Sequence, residues 1–304
     1  MKREVIDWLL EGPAWLRYAV ELQLLEAKPD VGPVLKDSAI GEIRHRLRDN
    51  QVGLPALKTG RVHYTETGKA YWDLFFLADI GLTIADLGLA SEAAGVFSYQ
   101  ASDGSLAIPP NVRHNYFCMS AILMSSLVRM GYRDDPQLKK YLRAVLRAQG
   151  AGGWCCSDGG MELPDTASCP MDNLNVLMLL GQYEEYRSAP GFNGAIDRLL
   201  GHWGGGTAGW QLYGFGTGKR FRSLGYPAVK YGILRVLDVL SLFPYAVRQP
   251  GFQSMLDFVR QKASGGRYFA EFTDGAYAGF DFGQKEEPSR WLTFLVNRIE
   301  KRVS

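Results

Sequence analysis

The sequence predicts an all-α fold, a double ring of inner and outer helices over a single domain spanning residues 1–304. Three observations carry this expectation. Turn glutamines recur at Gln51, Gln100 and Gln149, 49 residues apart each time, and His202 and Gln261 continue the series at intervals of 53 and 59. A period near 50 marks a repeat whose units cannot bury their apolar faces alone. Nearly all-apolar segments alternate with amphipathic ones between these turns. A helix apolar all round must be enclosed by protein, whereas an amphipathic helix can face water, and two concentric rings satisfy both demands. No stretch alternates apolar and polar residues as a half-buried strand would.

The elements follow in order. Residues 14–27 place Trp15, Tyr18, Ala19, Leu22 and Leu25 at helical spacing, and residues 33–50 form a more charged helix on Ile40, Ile43 and Leu47. The apolar segment 69–82 precedes a helix that ends at Phe97. The segment 114–131 precedes a helix opened by Asp134-Asp135-Pro136, where capping explains both carboxylates. Two more couplets follow, 169–183 with 190–203 and 225–242 with 248–262, and a helix over 288–302 closes the series. The inner helices are thus 14–27, 69–82, 114–131, 169–183, 225–242 and 288–302. The charged end of the last one, Arg298 to Val303, reads as a solvated closing helix.

Composition narrows the class. A net charge of +2 arises from 34 basic and 32 acidic residues spread along the chain, which calls for neither a nucleic-acid partner nor an acidic membrane surface. No apolar run reaches the roughly 18 residues of a membrane span, and no signal-like segment stands at residues 1–8, so a cytoplasmic protein is expected. Four cysteines, two of them adjacent at 155 and 156, make no disulfide framework and are expected to be reduced.

The turns Gln100-Ala-Ser-Asp-Gly-Ser, Gln149-Gly-Ala-Gly-Gly-Trp and Gln261-Lys-Ala-Ser-Gly-Gly-Arg-Tyr resemble the glutamine-to-tryptophan repeats of the squalene-cyclase and protein-prenyltransferase β-subunit superfamily. The resemblance implies an (α/α)6 toroid with a central cavity, open at one end, that binds isoprenoid chains; fold alone does not carry activity. The class II cyclases of that superfamily use an Asp-x-Asp-Asp acid, which this chain lacks. Its protein prenyltransferases hold zinc with an Asp-x-Cys at the start of one inner helix and a His at the start of a later one. Cys169 stands where that cysteine would be, but position 167 is alanine, and Ser223-Leu-Gly-Tyr-Pro brings no histidine. Those prenyltransferases also pair with a helical second chain, for which nothing here shows a docking face.

Several groups can carry chemistry. Every inner helix is followed by an outer one that returns, so all inner helices should start at one end. That gathers Cys118, Cys155, Cys156, Cys169 and His114 near one mouth. Cys118, Cys156, Cys169 and His114 form a candidate tetrahedral zinc set, and packing of the thiols as small apolar groups is the alternative. Asp165 and Asp172 flank Cys169 as candidate acids or positioning groups, with capping as the alternative. Tyr213-Gly-Phe-Gly-Thr-Gly-Lys-Arg-Phe-Arg222 offers Lys219, Arg220 and Arg222 as a diphosphate clamp, although its spacing is not that of a P-loop, and a solvated loop is the alternative. Trp72, Tyr116, Phe117, Tyr226, Tyr231 and Trp291 fall on inner helices. They are candidates to line an apolar cavity or stabilise a carbocation, or simply to pack the core. His63 and His202 read as loop and helix-end residues.

Two function classes follow. One is an isoprenoid-type transferase or cyclase-like protein, with an apolar prenyl or terpenoid ligand in the cavity and a thiolate-bound zinc. The other is a non-catalytic lipid- or peptide-binding toroid with structural cysteines. A carbohydrate-active toroid is a weaker third reading. It would need two facing carboxylates at the mouth, for which only Asp103, Asp158, Glu162 and Asp165 are available.

Overall fold

The computed structural model describes residues 2–58, 67–106, 108, 117–155, 168–204, 218–226, 232–280, 282–283 and 286–304. These form twelve helices of eight residues or more: α1 (Arg3–Leu10), α2 (Ala14–Gln23), α3 (Ser38–Arg48), α4 (Ala70–Ile80), α5 (Ala90–Phe97), α6 (Phe117–Leu127), α7 (Pro136–Arg147), α8 (Pro170–Leu180), α9 (Asn193–Trp203), α10 (Ile233–Leu240), α11 (Pro250–Arg260) and α12 (Arg290–Val303). Among the described residues there is no strand, only isolated antiparallel bridges. None of the helices is long and apolar enough to cross a membrane.

The even-numbered helices are the segments expected to lie inside. Every residue of α4, α6 and α8 is buried, as their uniform apolar sequences require. The odd-numbered helices bury one stripe only: Ile40, Ile43 and Leu47 on α3; Leu138, Tyr141, Leu142 and Val145 on α7; Phe252, Met255, Leu256 and Val259 on α11. The even helices pack in cyclic order, α2 on α4, α4 on α6, α6 on α8, α8 on α10, α10 on α12 and α12 back on α2. Outside them α3 covers α4, α9 covers α8, and α11 covers α10, while Tyr141 of α7 meets Ser120 of α6 at 2.6 Å. The first helix, α1, packs on both α2 and α12; it lies outside the expected couplets.

The recurring turns have a physical role. After α5, α7 and α11 the chain makes a one-pair antiparallel bridge, Gln100 with Leu106, Gly150 with Gly153, and Ser264 with Arg267. Gly104 and Gly153, at φ of 94° each, sit in two of these turns, and Gly266, at φ of 80°, sits in the third. The Gln100 side chain donates to the Gln137 carbonyl at 2.8 Å, and the Gln149 side chain to the Gly191 carbonyl at 2.7 Å. Each glutamine thereby ties the end of one odd helix to the start of the next. Gln51 departs from this pattern: Asp49 accepts from the backbone N–H groups of Gln51 and Val52 instead.

The helix over 290–303 is not a solvated closing helix. Residues Trp291 through Val296 are buried, and so are Ile299 and Arg298, the latter at 4% exposure. An arginine can be buried so deeply only if carboxylates are buried with it. That requirement leads to the network described next.

Candidate functional site

Two clusters mark the two ends of the even helices. At the end where they begin, Cys118 lies in the first turn of α6, Cys169 is the residue before α8, and Asp172 lies in the first turn of α8. Pro170 opens α8, where its missing N–H costs nothing. Asn173 one turn in accepts from the Trp154 backbone N–H at 2.7 Å and donates to Gly152 O and Ser168 Oγ, which clamps the Gln149–Trp154 turn onto α8. The Trp154 indole N–H donates back to Val145 O at 2.9 Å.

Cys155 therefore lies beside Asp172 and Cys169. Burial pushes its thiol up to about 12, with the Asp172 carboxyl and Cys169 adding to the rise. Burial also raises Tyr141, whose hydroxyl meets Ser120 and feels both Asp172 and Cys118. Cys155 thus lies within electrostatic reach of Asp172 and Cys169, and Tyr141 within reach of Asp172 and Cys118. His114, Cys156, Asp165 and Tyr116 lie outside the described residues, as do His63, Asp158, Glu162 and Tyr231. Among the described residues no group of three or more His, Cys, Asp or Glu side chains could hold a metal ion. The described donors alone do not fit zinc.

The expected basic clamp is not assembled. Lys219 and Arg220 are exposed on the single helical turn Lys219–Arg222. Arg222 lies over the rings of Trp203 and Phe258, 4.5 and 5.4 Å away, on the outer helices α9 and α11. A guanidinium stacked on outer aromatic faces is drawn away from the ring interior.

Of the two roles open to the aromatic residues, the described ones show packing. Trp291 packs edge-on against Trp15, Phe76 and Tyr226 at 5.4, 5.6 and 5.5 Å and stacks on Phe294. Phe280 and Phe282, from the segment before α12, fill the same cluster. Trp72 is fully buried beneath the Arg235 guanidinium, 5.0 Å away. Within the described residues Trp72 and Trp291 are packed by their own chain, and Tyr226 packs on Trp291 while bordering a small cavity. Aromatic pairs at these separations contribute about 0.5–1.5 kcal/mol each beyond their area burial.

The opposite end, where the even helices finish, holds a buried charge network that the sequence reading passes over. Arg298 of α12 donates to Asp238 of α10 at 3.0 and 2.8 Å, to Asp79 of α4 at 3.2 Å, and to Gln23 Oε1 of α2 at 3.1 Å. Asp79 also accepts from Arg129, just past α6, at 2.7 Å and from the Tyr226 hydroxyl at 2.8 Å. Arg302 reaches Asp238 at 2.9 Å, and Arg235 of α10 donates to the Asn175 side chain of α8. Side chains on or just past α2, α4, α6, α10 and α12 meet here. The sequence signal was a lone carboxylate in an apolar helix end, Leu77-Ala-Asp-Ile80 and Val236-Leu-Asp-Val239. Phe75, Tyr226, Leu234, Arg235, Asp238 and Arg298 are among the residues lining a cavity of about 20 Å³ beside the network.

Burial alone would raise Asp238, but Arg298, Arg302 and Arg129 outweigh it and hold the carboxyl below its usual range. Burial and the Asp79 carboxylate keep Tyr226 protonated, so that it donates. Both carboxylates are filled with donors, and neither is a ready base. A depressed carboxyl stabilises the fold above its unfolded value, about 3.9 for aspartate, and that contribution disappears as pH falls toward the folded value. Thermal unfolding followed from neutral pH down into the acid range should therefore show a falling Tm. In Asp238→Asn the acid-side fall should be shallower; an identical fall would remove Asp238 from the account.

No family model, curated protein or solved structure matches this chain at a significant level.

Proposed function

We infer that the chain is an (α/α)6 toroid of the cyclase and prenyltransferase kind. In this reading it is a cytoplasmic protein that binds an apolar prenyl or terpenoid ligand at the end where the even helices begin. There it acts as an isoprenoid-type transferase or cyclase-like protein. The cyclic packing of α2, α4, α6, α8, α10 and α12 supports the architecture. The observation that carries the function is the gathering of Cys118, Cys155, Cys169 and Asp172 at the starts of two neighbouring helices, α6 and α8.

Zinc belongs to this reading only through Cys156 and His114, which would complete a set with Cys118 and Cys169. A bound zinc would supply Lewis acidity; this chain's own groups would orient the ligand and exclude water. Asn173 holds the turn that carries Cys155, which lies within electrostatic reach of Asp172.

A second reading, a non-catalytic lipid- or peptide-binding toroid, draws on the packed aromatic cluster and on the protonated Cys155. Metal content and ligand binding separate the two. Protein purified without a metal-affinity tag should carry about one zinc per chain and bind a C15 prenyl diphosphate saturably in calorimetry. Cys169→Ser should lose both at unchanged helicity. Saturable binding of the C15 alcohol with no metal would select the second reading, and no binding of either ligand would overturn the proposal.

A further inference from the structure

A groove separate from both clusters lies between the start of α1, the turn that follows α11 and the segment that leads into α12. Glu4 and Val5 come from α1, Ser264, Gly265 and Arg267 from the turn, and Phe269 and Pro288 form the third side. Its volume of about 380 Å³ is in the range of small-molecule sites. Each wall is fixed by bonds of its own. Ser264 and Arg267 exchange both backbone hydrogen bonds, at 2.9 and 3.0 Å, across Gly265 and Gly266, whose φ of 60° and 80° suits glycine. A Cβ on Gly266 would stand 3.2 Å from Val5 Cγ2, so this turn rests directly on α1. Phe269 bridges with Pro288, and the Ser289 N–H donates to Tyr268 O at 2.7 Å. The groove is therefore formed before any ligand arrives.

Two opposite charges stand in this groove and do not meet. Among the described residues lining it, Glu4 and Arg267 are the charged ones, and neither side chain makes a hydrogen bond or ion pair with another described residue. Arg267 is nevertheless held in place: its guanidinium lies 4.4 Å from the centre of the Trp8 ring, and Arg290, 4.8 Å from the same ring, donates to Trp8 O at 3.0 Å. A stacked guanidinium keeps its N–H edge available for a carboxylate and gives up little freedom on binding one. A simple anion would satisfy Arg267 and leave Glu4 unmatched, and a simple cation would do the reverse. Phe269 and Pro288, both half-buried, supply an apolar wall beside the two charges. We propose that this groove binds a small zwitterion of the apolar amino-acid or dipeptide class, with its carboxylate on Arg267, its ammonium on Glu4 and its side chain against Phe269 and Pro288. The site uses none of the cysteines and does not rest on the reading given for them.

Blocked ligands test each end separately. Full-length protein would be titrated in a calorimeter with L-leucine and L-leucyl-L-leucine, then with N-acetyl-leucine, which lacks the ammonium, and leucine amide, which lacks the carboxylate. The expected result is saturable binding of at least one zwitterion, weakened about tenfold by either block, the loss of one charge-assisted contact. Glu4→Gln and Arg267→Gln, at an exposed and a half-buried position, should keep native helicity and each weaken zwitterion binding by a similar factor. Glu4→Gln should also erase the preference for leucine over N-acetyl-leucine, and Arg267→Gln the preference for leucine over leucine amide, a crossed pattern that a merely structural role would not produce. If either variant fails to fold, the wild-type titrations still decide. Saturation by neither zwitterion, or binding of a blocked compound as tight as that of the free one, overturns the proposal.

Discussion

Replacing Arg298 with methionine should cost about 3–5 kcal/mol, the loss found when one partner of a buried ion network is removed, and is the most damaging single change expected in this chain. The side chain is 4% exposed and holds Asp79 and Asp238 at once, so its removal leaves two buried carboxylates with fewer donors. The Coulomb energy lost is only part of the cost. Desolvation of carboxylates left with one counter-charge fewer dominates, and Asp79 of α4 has no other bond to α12 in the described network, whereas Asp238 of α10 keeps Arg302. Arg298→Lys should recover little, since an ammonium cannot present the forked N–H groups that meet both carboxylates. Arg298→Met combined with Asp79→Asn should regain only part of the loss, because Arg129 then loses its carboxylate partner. Urea unfolding followed by far-UV circular dichroism checks this; a single variant within about 1 kcal/mol of wild type, the range of a surface ion pair, would refute it.

Gly153→Ala should cost about 2–4 kcal/mol, through backbone strain and broken hydrogen bonds together. Gly153 is in the left-handed region at φ of 94°, and a Cβ there would run into the Asn173 side-chain oxygen and approach Ala195 Cβ to 3.0 Å. Asn173 would have to move, taking with it the bond to the Trp154 backbone and the placement of Cys155 beside Asp172. The expected signature is a fall in the urea midpoint together with faster modification of Cys155 by a thiol reagent. Gly95→Ala is the control. Gly95 lies within α5 with nothing within 4 Å of the added methyl, so alanine there should be neutral or mildly stabilising. Equal behaviour of the two variants would mean that the turn after α7 bears no strain.

The division into uniformly buried and one-sided helices was legible because it rests on local periodicity. The uniform apolarity of 70–80, 117–127 and 170–180 and the narrow stripe of 38–48 are properties of the segments themselves. The placing of Cys118 and Cys169 at the starts of α6 and α8 followed from the same logic, since equal couplets repeat equivalent positions. What was missed depends on distant partners. Arg298 finds Asp79 across 219 residues and Asp238 across 60, and no local pattern announces either pairing. A charged helix end with Arg298, Lys301 and Arg302 therefore read as solvated. Arg222 was assigned to a clamp for the same reason: its ring partners, Trp203 and Phe258, flank it from two other helices. The first helix escaped because Val5 and Leu9 alone are buried on it, a stripe too short for periodicity to show.

The seam between α12 and α2 bears on how the chain comes to be folded. Lys301 donates to the carbonyls of Gln23 and Leu24, 278 and 277 residues away, and Arg290 donates to Trp8 O, 282 residues away. Such contacts cannot form on a ribosome until residues 290–303 have emerged, so a nascent chain exposes the apolar flank of α2 until then and that of α10 from its own emergence onward. Contacts of this sequence separation are slow to close, and open apolar flanks invite association between unfinished chains. The segment that completes the seam is thus the natural point of intervention for chaperones, and its arrival separates a sticky intermediate from the finished protein.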